Sequence, residues 1–148
     1  MKKFELTSET KINIFGKKLF RIKALISFGD VKAGETGGWV EKEGNVNQSG
    51  NAWVSGDAMV SGNAMVSGNA WVSGDADYTT IRGFGTQFRT TTFFRCKDKK
   101  VRVACGCFFG TIPEFREQVK KTRSGKIVEE YLMIADLMEK HFEVKSNE

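Results

Sequence analysis

Polar and apolar positions alternate through residues 4–26. Phe4 and Leu6, then Ile12 and Ile14, precede Gly16-Lys17-Lys18. Leu19 to Ile26 follows, with Phe20 and Ile22 on one side and Arg21 and Lys23 on the other. A period of two marks half-buried strands, so the segment predicts strand, turn, strand. Gly29-Asp30 and Gly34-Glu35-Thr36-Gly37-Gly38 are turn signals, and Trp39-Val40 leads into a different pattern. From residue 44 to 76 the chain repeats itself. The unit Gly-Asn/Asp-Ala-Trp/Met-Val-Ser begins at Gly50, Gly56, Gly62 and Gly68, after a degenerate first copy, Gly44-Asn45-Val46-Asn47-Gln48-Ser49. The nine residues Gly50 to Ala58 recur unchanged at Gly68 to Ala76. Six residues are too few for a helical repeat. Gly with Asn or Asp marks a turn, since both tolerate positive φ, and Ala-Trp/Met-Val-Ser is strand-like. Ala52, Ala58, Ala64, Ala70 and Ala76 share parity with Val54, Val60, Val66 and Val72, so these point inward and Trp, Met and Ser point outward.

Residues 88–96 and 101–109 are rich in β-formers and flank Lys97-Asp98-Lys99-Lys100, which predicts a hairpin. Thr111-Ile112-Pro113-Glu114 has the form of a capping box, with Thr as N-cap, Glu three later and Pro in the first turn. It opens a helix expected to run to about Thr122 and to end near Ser124-Gly125. A second helix is expected from Lys126 to Phe142, with Ile127, Tyr131, Ile134/Ala135, Met138 and Phe142 as its apolar stripe.

The phase Val-Ser-Gly-Asn-Ala-Trp resembles the hexapeptide repeat of left-handed parallel β-helices, although Ser stands where that family more often has Gly. Three hexads make one coil of eighteen residues in that family, which matches the longer period here. The expected fold class is therefore mainly β with a C-terminal α part. It comprises a short left-handed parallel β-helix over 44–81, an N-terminal strand cap over 1–43 and a C-terminal ββαα module over 82–148. Two coils cannot cover their own ends, so both flanking parts are expected to cap them. The same resemblance implies a trimer, and the expected homo-oligomer is a trimer or a dimer. The arrangement as a whole is similar to small proteins encoded in phage and prophage genomes. The residues that carry this likeness are Arg89-Thr90-Thr91-Thr92-Phe93-Phe94 through Cys105-Gly106-Cys107. It implies an accessory protein that binds a host factor, such as a component of a defence system.

Charge sharpens this picture. Hydrophobic residues make up 40% of the chain, enough for a packed core. The net charge of +5 is uneven: residues 44–81 contain no Lys or Arg, whereas residues 82–102 contain seven against Asp98 alone. Such a stretch attracts phosphate, nucleic acid or an acidic protein face. The anion-binding candidates are Arg82, Thr86, Arg89, Arg95, Lys97, Lys99 and Lys100. The segment from Arg82 to Thr92 is the best ligand loop, because glycines admit close backbone N–H groups and the hydroxyls add donors. The partner or oligomer interface is expected on the outward ladder. Trp53 and Trp71 lie one coil apart on one face, with Met59 and Met65 on the other two.

Other chemistry is thinly represented. The hexapeptide family includes acyltransferases, whose histidine acts as general base. The single histidine here, His141, falls at the end of the last helix, so a non-enzymatic role is expected. Cys96, Cys105, Cys107 and His141 have ligand chemistry suited to zinc, but Cys-x-Cys lacks the usual spacing and a second pair. Buried cysteines are the plainer reading, and no metal or cofactor is expected. Three cysteines and the absence of an apolar h-region or an 18-residue apolar run point to a reducing cytosol and no membrane. The partners left open are a second copy of the chain, a host protein, and a nucleic acid or nucleotide.

Overall fold

A computed structural model of the chain describes residues 2–74, 77–87, 89–105 and 108–143. The architecture is mainly β with two C-terminal helices. β1 (Phe4–Ile12) and β2 (Lys18–Ala24) form the expected antiparallel hairpin, with Phe4 opposite Ala24 and Ile12 opposite Lys18. β3 (Thr36–Val40) pairs antiparallel with β2. The hexads then supply strands of two residues each: β4 (Trp53–Val54), β5 (Met59–Val60) and β6 (Trp71–Val72). β5 pairs parallel with β3, which completes a mixed sheet in the order β1-β2-β3-β5. β4 and β6 form a separate parallel pair, with Trp53 opposite Trp71.

The expected left-handed β-helix is not what the chain forms. Its two four-stranded sheets are mixed and antiparallel, its one all-parallel sheet is the two-residue β4–β6 pair, and among the described residues none is a parallel solenoid. The physical reason lies in strand length. A hexad has at most two extended residues between glycine turns, so parallel pairing is confined to two-residue ladders and the bridge Val46–Val66. The long ladders belong to the flanking segments, where short turns favour antiparallel pairing. The inward parity of the repeats does hold. Ala52, Ala58, Ala64 and Ala70 are buried, as are Val54, Val60, Val66 and Val72; Ala76 lies outside the described residues. Asn45, fully buried, ties the first hexad to the fourth. Its Nδ2 donates to the carbonyls of Gly62 (3.1 Å) and Ala64 (2.8 Å), and its Oδ1 accepts from the N–H groups of Glu41 (3.1 Å) and Lys42 (3.0 Å).

A second sheet, antiparallel throughout, has the order β10-β9-β8-β7. β7 (Tyr78–Phe84) was not expected as a strand, and it crosses the boundary expected at residue 82. β8 (Arg89–Arg95) and β9 (Val101–Cys105) are the expected hairpin, although Phe88 lies outside the described residues. The second run is not one strand to residue 109. It ends at Cys105, and β10 (Phe108–Thr111) pairs back on it with Phe108 opposite Cys105.

Helix α1 (Ile112–Thr122) starts at the expected capping box. Glu114 N–H donates to Thr111 Oγ1 (3.3 Å), and Thr111 N–H donates to Glu114 Oε1 (2.8 Å). Helix α2 (Lys126–His141) follows Gly125, whose φ of +64° only glycine adopts without strain. Arg116 of α1 bridges to Asp136 (2.7 Å) and Glu139 of α2. Burial works against the charged guanidinium, but these two carboxylates hold its pKa above the ordinary value.

The second sheet separates two cores. Phe94, Cys96, Ala104 and Tyr78 pack with the hexads and the N-terminal strands. Phe93, Val101, Val103 and Ile81 pack against α1 and α2. The chain is thus layered: hexads with their N-terminal cover, then sheet, then helices.

Candidate functional site

Between the sheet and the helices the layers part into a cleft of about 280 Å³. The β7–β8 turn supplies Phe84, Gly85, Thr86, Gln87 and Arg89. Phe108, Phe115 and Val119 form an apolar floor. Gln118, Thr122 and Arg123 at the end of α1, with Tyr131 of α2 and Cys105 of β9, complete the wall. Gly85 has φ +79°, and a Cβ there would lie 2.6 Å from the Tyr131 hydroxyl, so only glycine seats this turn against α2. Tyr131 is 5% exposed and packs edge-on to Phe115, with ring centroids 5.6 Å apart. Burial, and then the neighbouring Cys105, push its phenol pKa above the ordinary value, while Arg123 and Arg89 pull it down. Thr91 Oγ1 donates to Cys105 Sγ (3.1 Å) from behind.

The cationic rim is unneutralised. Arg89 is braced by the Gln87 side-chain oxygen, and Arg123 Nη1 reaches only the Thr122 carbonyl (3.3 Å). Neither has a carboxylate partner among the described residues. The arrangement offers an apolar floor, two guanidinium groups and several amide and hydroxyl donors, a combination suited to an aromatic or apolar body bearing an anionic group.

The structure brings Thr86 and Arg89 to this cleft and disperses the remaining anion candidates. Arg82 is exposed on β7 opposite Thr90. Arg95 is held by Asp77 (3.4 Å), by the Phe142 carbonyl (3.4 Å) and over the Phe142 ring. Lys97 forms an ion pair with Asp30 and lies over the Trp71 ring at 4.7 Å. Lys99 and Lys100 are exposed in the β8–β9 turn. β8 separates that turn from the cleft by roughly 20 Å, at about 3.3 Å per residue. The basic stretch is therefore two separate surfaces, not one patch.

The outward ladder is also corrected. Trp53 is fully buried, edge-on beneath Phe4 and Phe28 at centroid distances of 6.3 and 5.3 Å. Its indole Nε1 has no hydrogen-bond partner among the described residues, a penalty outweighed by burying the large ring. The N-terminal segment folds across this face, so Trp53 presents nothing to a partner. Trp71 is half-buried beneath Lys97 and borders two hollows, one lined by Asp30, Asn51, Asn69 and Asp98 and the other by Ser73, Asp77 and Lys99. Met59 is half-buried, and its carbonyl accepts from the Tyr78 hydroxyl (2.8 Å). Met65 is 44% exposed.

The residues suited to zinc do not converge. Cys96 sits in the core shared with the hexads, whereas Cys105 faces the helix side. Cys107 lies outside the described residues. His141 is exposed, with its ring against Phe142. Among the described residues no group of three or more His, Cys, Asp or Glu is placed to hold a metal ion. No helix among them is long and apolar enough to cross a membrane. The sequence points to the turn of the cleft but not to Phe115 and Gln118, which fall inside the first expected helix, to Tyr131, which stands in the apolar stripe of the second, or to Arg123, which lies between the two. No family model matches the chain, and no curated protein is detectably similar to it in sequence.

Proposed function

We propose that this is a non-enzymatic binding protein whose ligand is a nucleotide-sized anion with an aromatic or apolar body, seated in the cleft between the β7–β8 turn and the helices. The observation that carries this reading is the meeting, in one hollow, of a Phe108-Phe115-Val119 floor with Arg89 and Arg123, which no described carboxylate neutralises. A base or similar ring lies on the floor, and its phosphate faces the arginines and the donors of the β7–β8 turn. The volume is near the lower end of the range for ligand sites, about 300 Å³, which favours a mononucleotide over a dinucleotide. Acyl transfer is not part of the proposal, since His141 does not line the cleft.

Calorimetric titration with a panel of mononucleotides, together with a gel shift of a single-stranded oligonucleotide at low and high salt, tests this reading. Arg89→Ala and Arg123→Ala are each expected to weaken binding about tenfold, as loss of a charge-assisted hydrogen bond does. Absence of binding to every probe at low salt rejects the proposal.

A second reading, a phage-encoded antagonist that binds a host protein or a self-associating oligomer, keeps one specific support. Met65 and Phe109 are both 44% exposed. Native mass spectrometry of the wild type and of Met65→Ser/Phe109→Ser distinguishes it, because only this reading expects a dimer or trimer that the double variant dissociates. Both readings take a cytosolic setting.

A further inference from the structure

The β1–β2 turn carries the two most exposed large apolar side chains among the described residues, Ile14 and Phe15, with Ile12 at the end of β1 beside them. Ile14 is 93% exposed, Phe15 80% and Ile12 63%. The turn that presents them is built, not slack. Asn13 Oδ1 accepts from the N–H groups of Phe15 (2.9 Å) and Lys17 (2.9 Å), Asn13 N–H donates to the Lys17 carbonyl (2.9 Å), and Gly16 takes φ +79°. A single asparagine thus fixes the loop with its apolar residues outermost.

Cations collar this tip. From Thr10 to Gly29 the chain has five Lys or Arg and no carboxylate. Arg21 is occupied by Glu9 (3.1 Å). Lys11 and Lys18 rest over the rings of Trp39 (4.6 Å) and Phe20 (5.4 Å), and with Lys17 they have no acidic partner among the described residues.

We propose that this hairpin tip docks the protein on an anionic lipid surface, with Ile14 and Phe15 entering the headgroup–acyl boundary and Lys11, Lys17 and Lys18 meeting the phosphates. The charge of the collar selects the partner's sign. A lipid surface is favoured over a protein pocket because the tip is convex and its one amide oxygen is spent inside the turn. What remains outward is apolar surface and diffuse positive charge, which recognise without directional bonds. The hairpin lies in the N-terminal sheet and shares no residue with the cleft, so this inference stands apart from the ligand reading.

Co-sedimentation of the full chain with vesicles tests it. Phosphatidylcholine vesicles containing about a third phosphatidylglycerol are expected to bind the protein, pure phosphatidylcholine vesicles to bind it at least tenfold more weakly, and added salt to weaken binding to the anionic ones. Phe15→Asp and, separately, Ile14→Ser should each reduce the anionic partition about tenfold or more with unchanged circular dichroism. Lys17→Glu/Lys18→Glu should do the same while leaving the apolar tip intact. Wild-type protein that stays in the supernatant with anionic vesicles at low salt overturns the proposal, as does binding unaffected by both tip variants. A co-purifying protein lost on Phe15→Asp, with no vesicle binding, assigns the tip to a protein and also overturns it.

Discussion

Phe93 and Phe94 are consecutive in β8 and belong to different cores. Phe93 meets Phe115 of α1 edge-on at 6.0 Å, whereas Phe94 stacks with Phe109 at 6.0 Å on the side of the hexads. Strand alternation sends the two rings to opposite faces, so one seven-residue strand is the wall of both. Each ring is fully buried, and truncation to alanine is expected to cost about 3–5 kcal/mol. The two losses should be felt in different places. Hydrogen exchange should show lost protection in α1 and α2 for Phe93→Ala, and around Val54 and Val72 for Phe94→Ala. The same exchange map for both variants contradicts the two-core description.

Lys3 makes stability depend on alkaline pH. It is 2% exposed; its ammonium donates to the Ala52 carbonyl (2.7 Å) and the Gly50 carbonyl (3.4 Å) and lies 4.6 Å from the Phe28 ring centroid. Burial lowers its pKa from 10.5 to about 8. Between these values the unfolded chain binds more protons than the folded one, so this group's contribution to stability rises with pH across that window. Below about pH 8 the desolvation cost is present in full; above 10.5 it is gone. Cys96 and Tyr131, whose pKa values burial raises, act in the opposite sense over an overlapping range. The expected result therefore concerns a difference. The urea-derived stability of wild type minus that of Lys3→Met should rise by roughly 3 kcal/mol from pH 7 to pH 10.5, at about 1.4 kcal/mol per pKa unit. A flat difference contradicts the buried-ammonium description.

Three glycines are expected to respond differently to alanine. A Cβ at Gly37 would sit 2.6 Å from both the Trp53 ring and the Val54 carbonyl oxygen, so β3 must move off the hexads. Gly62 has open space but φ +66°, and Gly44 has open space with no positive φ. Denaturant midpoints should give a loss of about 2 kcal/mol or more for Gly37→Ala, about 1–2 for Gly62→Ala, and close to none for Gly44→Ala.

Cys105 and Cys96 should differ in reactivity. Cys96 is 2% exposed, and burial raises its thiol pKa despite Arg102 beside it. Cys105 is half-buried and lines the cleft. In a Cys107→Ser background, native alkylation followed by mass spectrometry should modify Cys105 well before Cys96. A cleft ligand at saturating concentration should slow the reaction at Cys105 alone. Gly85→Val, which drives a side chain into Tyr131, should abolish that protection.

Legibility in the sequence follows the range of the interactions. The Thr111–Glu114 capping box and the α2 stripe are read directly, because their determinants lie within a few residues of one another. The inward Ala and Val of the hexads are also local. Strand pairing is not local. The hexads repeat perfectly enough to suggest coils, yet β5 joins β3 and the long hairpin ahead of it, and nothing inside a hexad specifies that partner. Trp53 reads as outward until Phe4 and Phe28 arrive from the N-terminal segment to cover it. β7, with Thr79, Thr80 and Arg82, lacks strong apolar alternation and is a strand because β8 pairs with it. The cleft shows the same division: its glycine-bearing turn stands out, but Tyr131 and Arg123 reach it only through the docking of the helices.

Asn45 bears on how such a chain avoids misthreading. Two identical nonamers are interchangeable to any neighbour that reads only their side chains, and a shift by one long period would leave most hexad contacts chemically unchanged. The buried carboxamide removes that degeneracy, because it holds four backbone groups in two segments at one fixed spacing. A lineage that gained or lost one hexad between Asn45 and Gly62 would keep the motif and lose the clasp. The copy number of this short array is therefore held by a residue outside its most regular part.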